Sequence, residues 1–595
     1  MKKIFYAFIL SLAGFAAKAG VYSTPGTGVN WTLTELVANS GGFVTFDGSA
    51  YTFTDSVTIR TGDVVRIENN VTVKFNAQVV FRVNGSLIVN PSTGVLFTAA
   101  NTANPFRGVW VENSTGSSFK KLTYEYASSF RLSDASPSFE DCIFRYNNSA
   151  TTLSNGTLSL FRSNPVVTHC SFINNYRSAI QGGANIANAP KIYNCTFIGN
   201  NSSNQNVPHI NLGASGTDTT KIIGCSITNP GGIRTGAIGF LPLGTLNVLI
   251  ENNHIANNRY GVSLQGGADI SSMVRYNYIG FNNIENNPNL GGSGIAYAGG
   301  TATSQQKSIV TGNIFEGNLW GITIQNRSKP NIGNLSNTDT SDNGKNVFIN
   351  NTNAGVPFID LYNNSIDTIY AQNNFWNSEN ATAVESKIFH RTDQASLGPV
   401  LYTDYATRFN FVSLTAAIAT NDVQLKWRTN AEYGTRSFVV EKSFNNISFQ
   451  PITTVAAKGI SFSPSDYDYL DVAAFVNNAT IYYRLKMTDT SGAFRYSDTV
   501  SVKFPNIPAT GLEQYYPTIL NNGQPWTIKI NSPYHQPLRL NYFTADGKLV
   551  KFTSIRLVPG FNQFVIPTDP RLPQGWIFIK VSAIGLKETV PVLIH

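Results

Sequence analysis

The sequence predicts an all-β protein in which a long repetitive solenoid precedes two small β-sandwich domains. Charged residues make up only 13% of the 595 residues and aromatic residues 12%, a composition that argues against both a coiled coil and a disordered chain. A short motif recurs every 24–36 residues through the middle of the chain. From about residue 411 that motif is replaced by alternating strands at the spacing of a β-sandwich.

Residues 1–19 have the features of a secretory signal peptide. Two lysines at positions 2 and 3 precede an apolar stretch from Ile4 to Phe15, and Ala17-Lys18-Ala19 forms a small-x-small cleavage site. This stretch is shorter than the roughly 20 residues that span a bilayer, and no later segment is long and apolar enough to anchor the chain. We therefore expect a secreted protein without a transmembrane anchor.

The repeats align on one position that carries a small or amide side chain. The aligned residues are Cys142, Cys170, Cys195, Cys225, Asn253, Asn277, Asn313, Asn346 and Asn374. Each unit reads as two or three short strands joined by bends rich in Asn and Gly, so it buries its apolar side only by stacking on a neighbour about 4.8 Å away. Stacking predicts an internal structural ladder of hydrogen-bonded amides that continues as buried thiols. Although secretion would permit disulfides, stacked Cβ atoms have poor disulfide geometry, and we expect four free thiols.

Two longer segments carry a family resemblance. Residues 250–262 follow the pattern Ile-x-x-Asn-x-Ile-x-x-Asn-x-Tyr-Gly-Val, and residues 310–322 repeat it with Trp320-Gly321 in the register of Tyr260-Gly261. Together with the closing segment Asn373-Asn374-Phe375-Trp376, these motifs make residues 20–410 resemble a right-handed parallel β-helix of the pectate-lyase-like (pectin lyase-like) superfamily. The resemblance implies the fold but no single activity, because this superfamily contains lyases, hydrolases, epimerases, adhesins and inert scaffolds.

The open N-terminal end of such a solenoid needs a cover, since it would otherwise expose an unpaired strand edge. The segment from Leu33 to Asn39 is predicted to form a short helix that provides this cap.

Residues 411–504 are predicted to form the first sandwich domain. Strands with period-two alternation begin at Val423, Ser437 and Ile481. The segment resembles the fibronectin type III-like modules of secreted proteins of the Bacteroidetes. Its predicted core consists of Trp427, Phe438, Tyr483 and Leu485.

Residues 511–595 are predicted to form the second sandwich. The turn Asp546-Gly547-Lys548 and the strand that begins at Gly575-Trp576 resemble the type A C-terminal sorting domain of the type IX secretion system (T9SS). The sequence departs from that family at Pro517-Thr518, where the family usually has Pro-Asn-Pro. The resemblance implies that the type IX machinery is a partner and exports the chain across the outer membrane. The domain would then be removed, and the body released or attached to lipopolysaccharide.

One group of titratable residues is predicted on the outward surface of the solenoid. Glu251 and His254 should lie beside Arg275 and Tyr278 of the next repeat, with Arg259 at the following turn. A polysaccharide lyase needs a base and a cation that stabilises the enolate, and His254 or Tyr278 with Arg275 could supply them. The alternative is a solvated Glu251–Arg275 ion pair beside a His–Tyr stack.

Binding without chemistry has its own candidates. Tyr260 and Trp320 either stack on sugar rings or pack on the edge of the repeat, and they join Glu251 and Arg259 as candidate substrate-binding residues. The dispersed basic residues do not predict a nucleic-acid partner.

Other catalytic signatures are weak in this sequence. Of the polygalacturonase-like motifs only Asn337-Thr338-Asp339 occurs, without the paired Asp or Gly-His-Gly. No cofactor or metal site is predicted. Calcium at Asp339, Asp342 and Asn343 is conceivable, but the spacing differs from an EF-hand and favours a turn.

These observations predict a secreted surface β-helix whose partner is a polysaccharide or surface glycan, which it binds or adheres to without turnover. A polysaccharide lyase acting on the face near residues 251–278 is the first alternative. A structural spacer is the second.

Overall fold

The computed structural model describes residues 20–147, 156–304, 306–352, 359–378, 380–406, 409–461, 463–490, 492–521 and 523–595. The signal peptide predicted for residues 1–19 lies outside these ranges. The chain divides into two compact units, Met1–Ala406 and Thr407–His595. In the described ranges no helix combines the length and the apolar character needed to cross a membrane.

The first unit is a parallel β-helix whose coils contribute strands to three long sheets. Over the described residues sheet 1 has fourteen strands: Val21–Ser23, Ser56–Ile59, Val80–Val83, Phe106–Glu112, Ala127–Ser133, Leu158–Phe161, Ile180–Gly182, Ile210–Leu212, Ile238–Phe240, Val262–Gly266, Ser293–Gly299, Trp320–Asn326, Leu361–Ser365 and Ile388–Phe389. Sheet 2, counted over the same residues, has thirteen strands: Val44–Phe46, Ala50–Phe53, Thr72–Phe75, Val95–Ala99, Leu122–Glu125, Ile143–Arg145, Ser171–Ile173, Thr196–Ile198, Ser226–Thr228, His254–Ala256, Tyr278–Gly280, Ile314–Glu316 and Val347–Ile349. Sheet 3 has eleven in the described chain: Asn30–Thr32, Val64–Ile67, Ser86–Val89, Ser118–Lys120, Ser138–Glu140, Val166–Thr168, Lys191–Tyr193, Thr219–Ile223, Leu246–Glu251, Ile270–Arg275 and Gln306–Thr311.

The strands alternate between buried and partly exposed side chains, as in Thr72–Phe75 and Ser86–Val89. Inward residues of successive coils stack on one another; the rings of Phe144, Phe172 and Phe197 follow at centroid distances of 4.8 and 5.0 Å. Each coil therefore buries its apolar side against its neighbours, because a single coil is too small to enclose a core.

The predicted cap is present as the helix Leu33–Asn39. Thr32 and Glu35 form a capping box at its N-terminus, where the Thr32 backbone N–H donates to the Glu35 carboxylate at 2.7 Å. Leu33 and Leu36 are buried against the β-helix core, so the helix covers the apolar end of the solenoid. Further helical turns lie at Thr340–Asp342 and Ala381–Glu385, and a small parallel pair joins Ile369–Tyr370 with Val400–Leu401.

A first ladder runs along the interior through the nine aligned Cys and Asn positions. The Asn253 amide donates to Asn277 Oδ1 at 2.9 Å, and the Asn277 amide donates to Asn313 Oδ1 at 2.9 Å. In the cysteine part, the backbone N–H donates to the next sulfur, as from Cys170 to Cys195 Sγ at 3.3 Å, and the last one, of Cys225, donates to Asn253 Oδ1 at 2.8 Å. All four cysteines are free and buried, as predicted. The thiol thus serves as a compact acceptor in the position that the amide takes in later coils.

A second ladder, not expected from the sequence, lies five residues further along most coils, and His209 and Asp360 join it from other positions. Its members are Asn147, Asn175, Asn200, His209, Asn258, Asn282, Asn318, Asn351 and Asp360. Neighbouring side chains are hydrogen bonded, for example from Asn258 to Asn282 at 3.0 Å and from Asn282 to Asn318 at 3.1 Å. Pro230 occupies the equivalent position of one coil, and the imidazole of His209 accepts from the Asn200 amide at 3.1 Å instead. A side chain from a different part of the coil thus extends the ladder.

The second unit contains two β-sandwiches. In the first, Phe409–Ala419, Asp422–Tyr433, Ile460–Ser461 and Ser465–Asp471 face a sheet of Thr435–Ser443, Gln450–Ala456, Thr480–Asp489, Phe494–Tyr496 and Val500–Lys503. Its buried core includes the predicted Trp427, Phe438, Tyr483 and Leu485. In the second, Gly511–Tyr516, Trp526–Ser532 and Gly560–Ile566 pack on Ile519–Leu520, Gln536–Thr544, Leu549–Leu557, Gly575–Ala583 and Leu586–Ile594. The predicted fold class, an all-β chain with a parallel β-helix followed by two small sandwiches, is confirmed.

Candidate functional site

The outer surface of sheet 1 presents one side chain from each coil in a continuous line, which we call the outward row. Strand register places the following residues side by side: Thr58, Arg82, Trp110, Arg131, Ser159, Gln181, Asn211, Gly239, Ser263, Ala296, Thr323, Tyr362 and Phe389. The row is basic near its N-terminal end, small and polar in the middle, and aromatic at its C-terminal end. Since coils are about 4.8 Å apart, this line is a surface on which an extended polymer could lie.

The middle of the outward row forms the floor of a depression of about 420 Å³, which we call the central depression. Its floor includes Asn211, Gly239, Ser263, Gln265 and Ala296. Gly239 and Ser263 present almost no bulk there, because one has no side chain and the other only a hydroxymethyl group. The floor is therefore lined by neutral hydrogen-bonding groups and has room for a ligand.

The walls of the central depression come from loops that one arginine ties together. The Arg259 guanidinium donates through Nε to the Glu285 carboxylate and through Nη1 to Asn206 Oδ1. Its backbone N–H donates to Thr235 O at 2.8 Å. Arg259 and Glu285 are both about nine-tenths buried, with exposed side-chain fractions of 8% and 10%. The predicted binding residue Arg259 thus lies at the depression and holds its loops in place.

Tyr260 forms a wall of the central depression and packs on a glycine of the preceding coil. A Cβ atom on Gly236 would lie 2.1 Å from the Tyr260 ring, so only glycine leaves space for this ring. Burial raises the pKa of the Tyr260 phenol to about 12, which keeps it protonated at neutral pH. Tyr260 therefore packs on the coil edge and also lines the depression.

Trp320 lies outside the set of residues that line the central depression. Its indole N–H donates to Pro288 O at 3.2 Å, and its ring contacts Tyr362 at 5.2 Å. Tyr362 in turn stacks on Phe389 at 4.8 Å. Trp320 is thus part of the aromatic C-terminal end of sheet 1.

The predicted titratable cluster lies on other faces of the β-helix. Glu251 pairs with Arg275 across sheet 3 at 3.0 Å, and His254 stacks on Tyr278 across sheet 2 with ring centroids 4.9 Å apart. The structure therefore pairs Glu251 with Arg275 and His254 with Tyr278, as the sequence pattern predicted, but on two different sheets. Arg259 does not belong to this cluster, because its guanidinium is held by Glu285 and Asn206.

The contacts of this cluster are those of a paired surface. Tyr278 donates its phenol proton to the Glu316 carboxylate at 2.9 Å. Burial, together with that hydrogen bond and the Glu316 charge, raises the pKa of Tyr278 above its ordinary value. This shift is opposite to the one that would make a phenol a proton acceptor at neutral pH, and it argues against Tyr278 as a catalytic base.

The loop considered for calcium uses its carboxylates within the chain. Asp339 caps the short turn Thr340–Asp342 by accepting from the Ser341 N–H at 2.8 Å. Asp342 Oδ2 accepts from Asn331 and Asn337 at 2.6 and 2.8 Å. Among the residues that the structure describes, no group of three or more His, Cys, Asp or Glu side chains could hold a metal ion.

The Cys/Asn motif did not predict the floor residues of the central depression, because it lies at the junction of sheets 2 and 3 and the floor lies on sheet 1. The signal was present in the strands that follow Tyr260-Gly261 and Trp320-Gly321. In Val262-Ser263-Leu264-Gln265 the apolar and polar residues alternate, and that period of two places Ser263 and Gln265 outward.

No family model matches the sequence, and no curated protein matches it. A tailspike protein mutant of Escherichia coli bacteriophage HK620, solved in complex with a pentasaccharide, is 13% identical over 74% of this chain and 87% of its own, with a TM-score of 0.28. The chicken CNTN1 FN1–FN3 domains are 11% identical over 32% of this chain and 69% of theirs, with a TM-score of 0.16. Red sea bream transglutaminase is 12% identical over 37% of this chain and 34% of its own, with a TM-score of 0.13. The fold assignment rests on the strand register described above.

Proposed function

We propose that this protein binds a glycan in the central depression and along the outward row of sheet 1, without turnover. The observation that carries the proposal is the composition of that surface. Neutral hydroxyl and amide groups of Asn211, Ser263 and Gln265 form the floor, and Pro208, Leu241, Tyr260 and Leu290 line the same space. A small number of precisely placed polar groups within apolar walls is typical of sites that bind small ligands.

The mixture of polar floor and apolar walls matches the two surfaces of a sugar. Ring hydroxyls exchange hydrogen bonds with amide and hydroxyl side chains, while C–H faces pack on aromatic and aliphatic groups. Leu241 and Leu290 stay 49% and 55% exposed although they border the depression. A ligand that covers them removes apolar area from water and gains about 25 cal/mol for each Å².

The described lining of the central depression lacks carboxyl and imidazole groups, which supports binding over catalysis. Of the described residues that line the central depression, none is Asp, Glu or His. An inverting glycoside hydrolase needs two carboxyl groups, and a lyase needs a positioned base. Arg259, the cation at this surface, is already paired with Glu285.

The test is glycan binding by a variant in which the floor is filled. Ala296→Tyr places a bulky ring on the floor, whereas Ala298→Tyr places it two residues along the same strand, at a partly exposed position outside the lining. Oligosaccharides that bind the wild type on a glycan array are titrated by calorimetry. We expect Ala296→Tyr to lower affinity at least about tenfold, or 1.4 kcal/mol, and Ala298→Tyr to keep wild-type affinity.

Equal binding by both variants would place the ligand elsewhere. Turnover is tested separately by incubating the full chain with bound glycans and measuring reducing ends and the absorbance of unsaturated products. If either product is formed by the wild type and is no longer formed by Arg275→Ala, binding without turnover is contradicted and the lyase alternative is favoured. A wild type that binds no glycan would favour the spacer.

We further propose that the protein is exported and displayed at the cell surface, with residues 511–595 serving as a type IX sorting domain. This proposal rests on the motifs at Asp546-Gly547-Lys548 and Gly575-Trp576. Expression in a host with that secretion system should give a surface-exposed chain that lacks these residues. Deletion of residues 511–595 should leave it in the periplasm, and surface display of the truncated chain would contradict the proposal.

A further inference from the structure

We propose a second subsite on the outward row, in which Arg107 and Arg131 around Trp110 bind the carboxylate or sulfate groups of an acidic polysaccharide. We call these three residues the arginine–tryptophan subsite. The inference rests on the proposed function, because it names the class of glycan that would bind along sheet 1. It arises from residues that lie well apart from the central depression.

The arginine–tryptophan subsite is built by strand register. Arg82, Trp110 and Arg131 are neighbours on three successive coils of sheet 1. The guanidinium carbons of Arg82 and Arg131 each lie 5.3 Å from the centre of the indole ring, and that of Arg107 lies 5.9 Å away. Because the two coils lie on opposite sides of the Trp110 coil, the indole is held between two cations.

The charges of this subsite are only partly neutralised. Arg82 pairs with Glu112 at 3.0 Å. Among the described residues, the side chains of Arg107 and Arg131 have no hydrogen-bond or ion-pair partner; their contact is with the Trp110 ring. Elsewhere on the β-helix, Arg145 and Arg162 are paired with Glu125 and Asp134. Two guanidinium groups near one indole therefore carry uncompensated positive charge.

A further donor in the subsite also lacks a partner. The indole N–H of Trp110 is buried and donates to no atom of the described chain. A donor left without an acceptor is unfavourable, which favours a ligand that brings an acceptor to the edge of the indole. Two arginines and an indole N–H together provide only donors, and their natural complement is an anionic oxygen.

Stacking on Trp110 prepares the guanidinium groups for such a ligand. Cation–π contact fixes the plane of each group and leaves its N–H edge available, and Arg binds carboxylate and sulfate-like oxygens through paired N–H groups. The ordering of the side chains is thus partly complete before the ligand arrives, and a bound anion also relieves the repulsion between the cations.

The position of the subsite argues for a polymer instead of a small anion. Arg131 is followed on the outward row by Ser159, Gln181 and Asn211, and Asn211 is on the floor of the central depression. Three coil spacings of about 4.8 Å separate Arg131 from Asn211, or roughly 14 Å. A chain of a few sugar units therefore reaches from one site to the other.

The test compares an acidic oligosaccharide with its neutral counterpart of the same backbone, prepared by desulfation or carboxyl reduction. Calorimetric titration of the full chain should give tighter binding of the acidic form, by about tenfold or more. The double variant Arg107→Gln/Arg131→Gln should lose that preference. Arg162→Gln, which removes a paired arginine directly after the sheet 1 strand Leu158–Phe161, should keep it.

Other outcomes would overturn the proposal. Equal affinity of the wild type for the acidic and the neutral oligosaccharide would do so. If inorganic sulfate alone binds as tightly as the acidic oligosaccharide, this is a small-anion site. If single-stranded DNA of equal charge binds as tightly, it is a general polyanion site. Ala296→Tyr separates the two proposals: if it abolishes neutral binding while the double variant keeps the acidic preference, the central depression stands and the arginine–tryptophan subsite fails.

Discussion

Asn351 donates its side-chain amide to the carboxylate of Asp360 at 2.9 Å, and this hydrogen bond ends the second ladder. The carboxylate takes the place where an amide oxygen would otherwise accept. Lys387 Nζ lies 3.9 Å from the other carboxylate oxygen of Asp360, too far for a strong compensating hydrogen bond. A buried acid therefore closes a column built from neutral amides.

Asp360→Asn should stabilise the β-helix at neutral pH. Burial raises the pKa of Asp360 from 3.8 to about 6, so the folded state binds more protons than the unfolded state between those values. The stability from this group is present below about pH 4 and is lost as the pH rises through 6. We expect a gain of up to about 3 kcal/mol at pH 7.5, measured by calorimetric unfolding at several pH values. A gain of the same size at pH 4 would contradict this explanation.

His209→Gln should reduce the loss of stability at acidic pH. Burial lowers the pKa of His209 from 6.5 to about 3, so the unfolded state binds more protons across that range. Stability from the neutral imidazole is present above pH 6.5 and falls as the pH is lowered toward 3, at no more than about 1.4 kcal/mol per pH unit. Melting temperatures at pH 7.5 and 4.5 should lie closer together in the variant than in the wild type. An unchanged difference would mean that other groups govern acid unfolding.

The amide part of the first ladder should tolerate truncation less well than its thiol part. Asn313 is fully buried; it donates to Val274 O and to Asn346 Oδ1 at 2.8 and 3.0 Å and accepts from the Asn277 amide. Asn313→Ala leaves several buried groups unsatisfied and should cost about 3–5 kcal/mol.

Cys195→Ala serves as the comparison, since it removes a thiol that accepts one weak hydrogen bond, from the Cys170 N–H, and should cost about 1–2 kcal/mol. Thermal unfolding of both variants at one pH gives the loss in free energy of unfolding for each. Equal losses would show that both side chains contribute mainly by filling space.

The Arg259–Glu285 ion pair should be needed for both stability and ligand binding. Arg259→Leu leaves a nearly buried carboxylate without its partner and should destabilise the protein by about 3 kcal/mol. The double variant Arg259→Leu/Glu285→Leu should be less destabilised, because it leaves no uncompensated charge. Both variants should bind glycan weakly, since the loops that line the central depression lose their connection to Asn206.

The measurements are thermal unfolding and calorimetric binding, with Ala298→Tyr as the binding control. A double variant that binds as well as the wild type would contradict the role given to this pair.

The periodic parts of this fold were predictable because they depend on local repetition. The nine aligned Cys and Asn residues identified the coil length and the internal ladder, and the segment Leu33–Asn39 is a helix with the predicted bounds. The contacts of Glu251 with Arg275 and of His254 with Tyr278 followed from the same alignment.

The central depression was not predictable in the same way. Its floor depends on Gly239 and Ser263 lying in register on sheet 1, and its walls depend on loops of unequal length held by Arg259, Asn206 and Glu285. Loops of this kind obey no repeat, and the contact between Arg259 and Asn206 spans 53 residues. Likewise, Pro230 stands where the next amide of the second ladder would be, and the His209 side chain takes its place. No repeat in the sequence indicates that replacement.

On the outward row each coil contributes one side chain, while the residues on either side of it, such as Val262 and Leu264 around Ser263, point into the core. A substitution on the outward row therefore leaves the packing of the solenoid core almost unchanged. Selection can alter the specificity of this surface one coil at a time, and adding or deleting a whole coil would lengthen or shorten the stretch of polymer recognised.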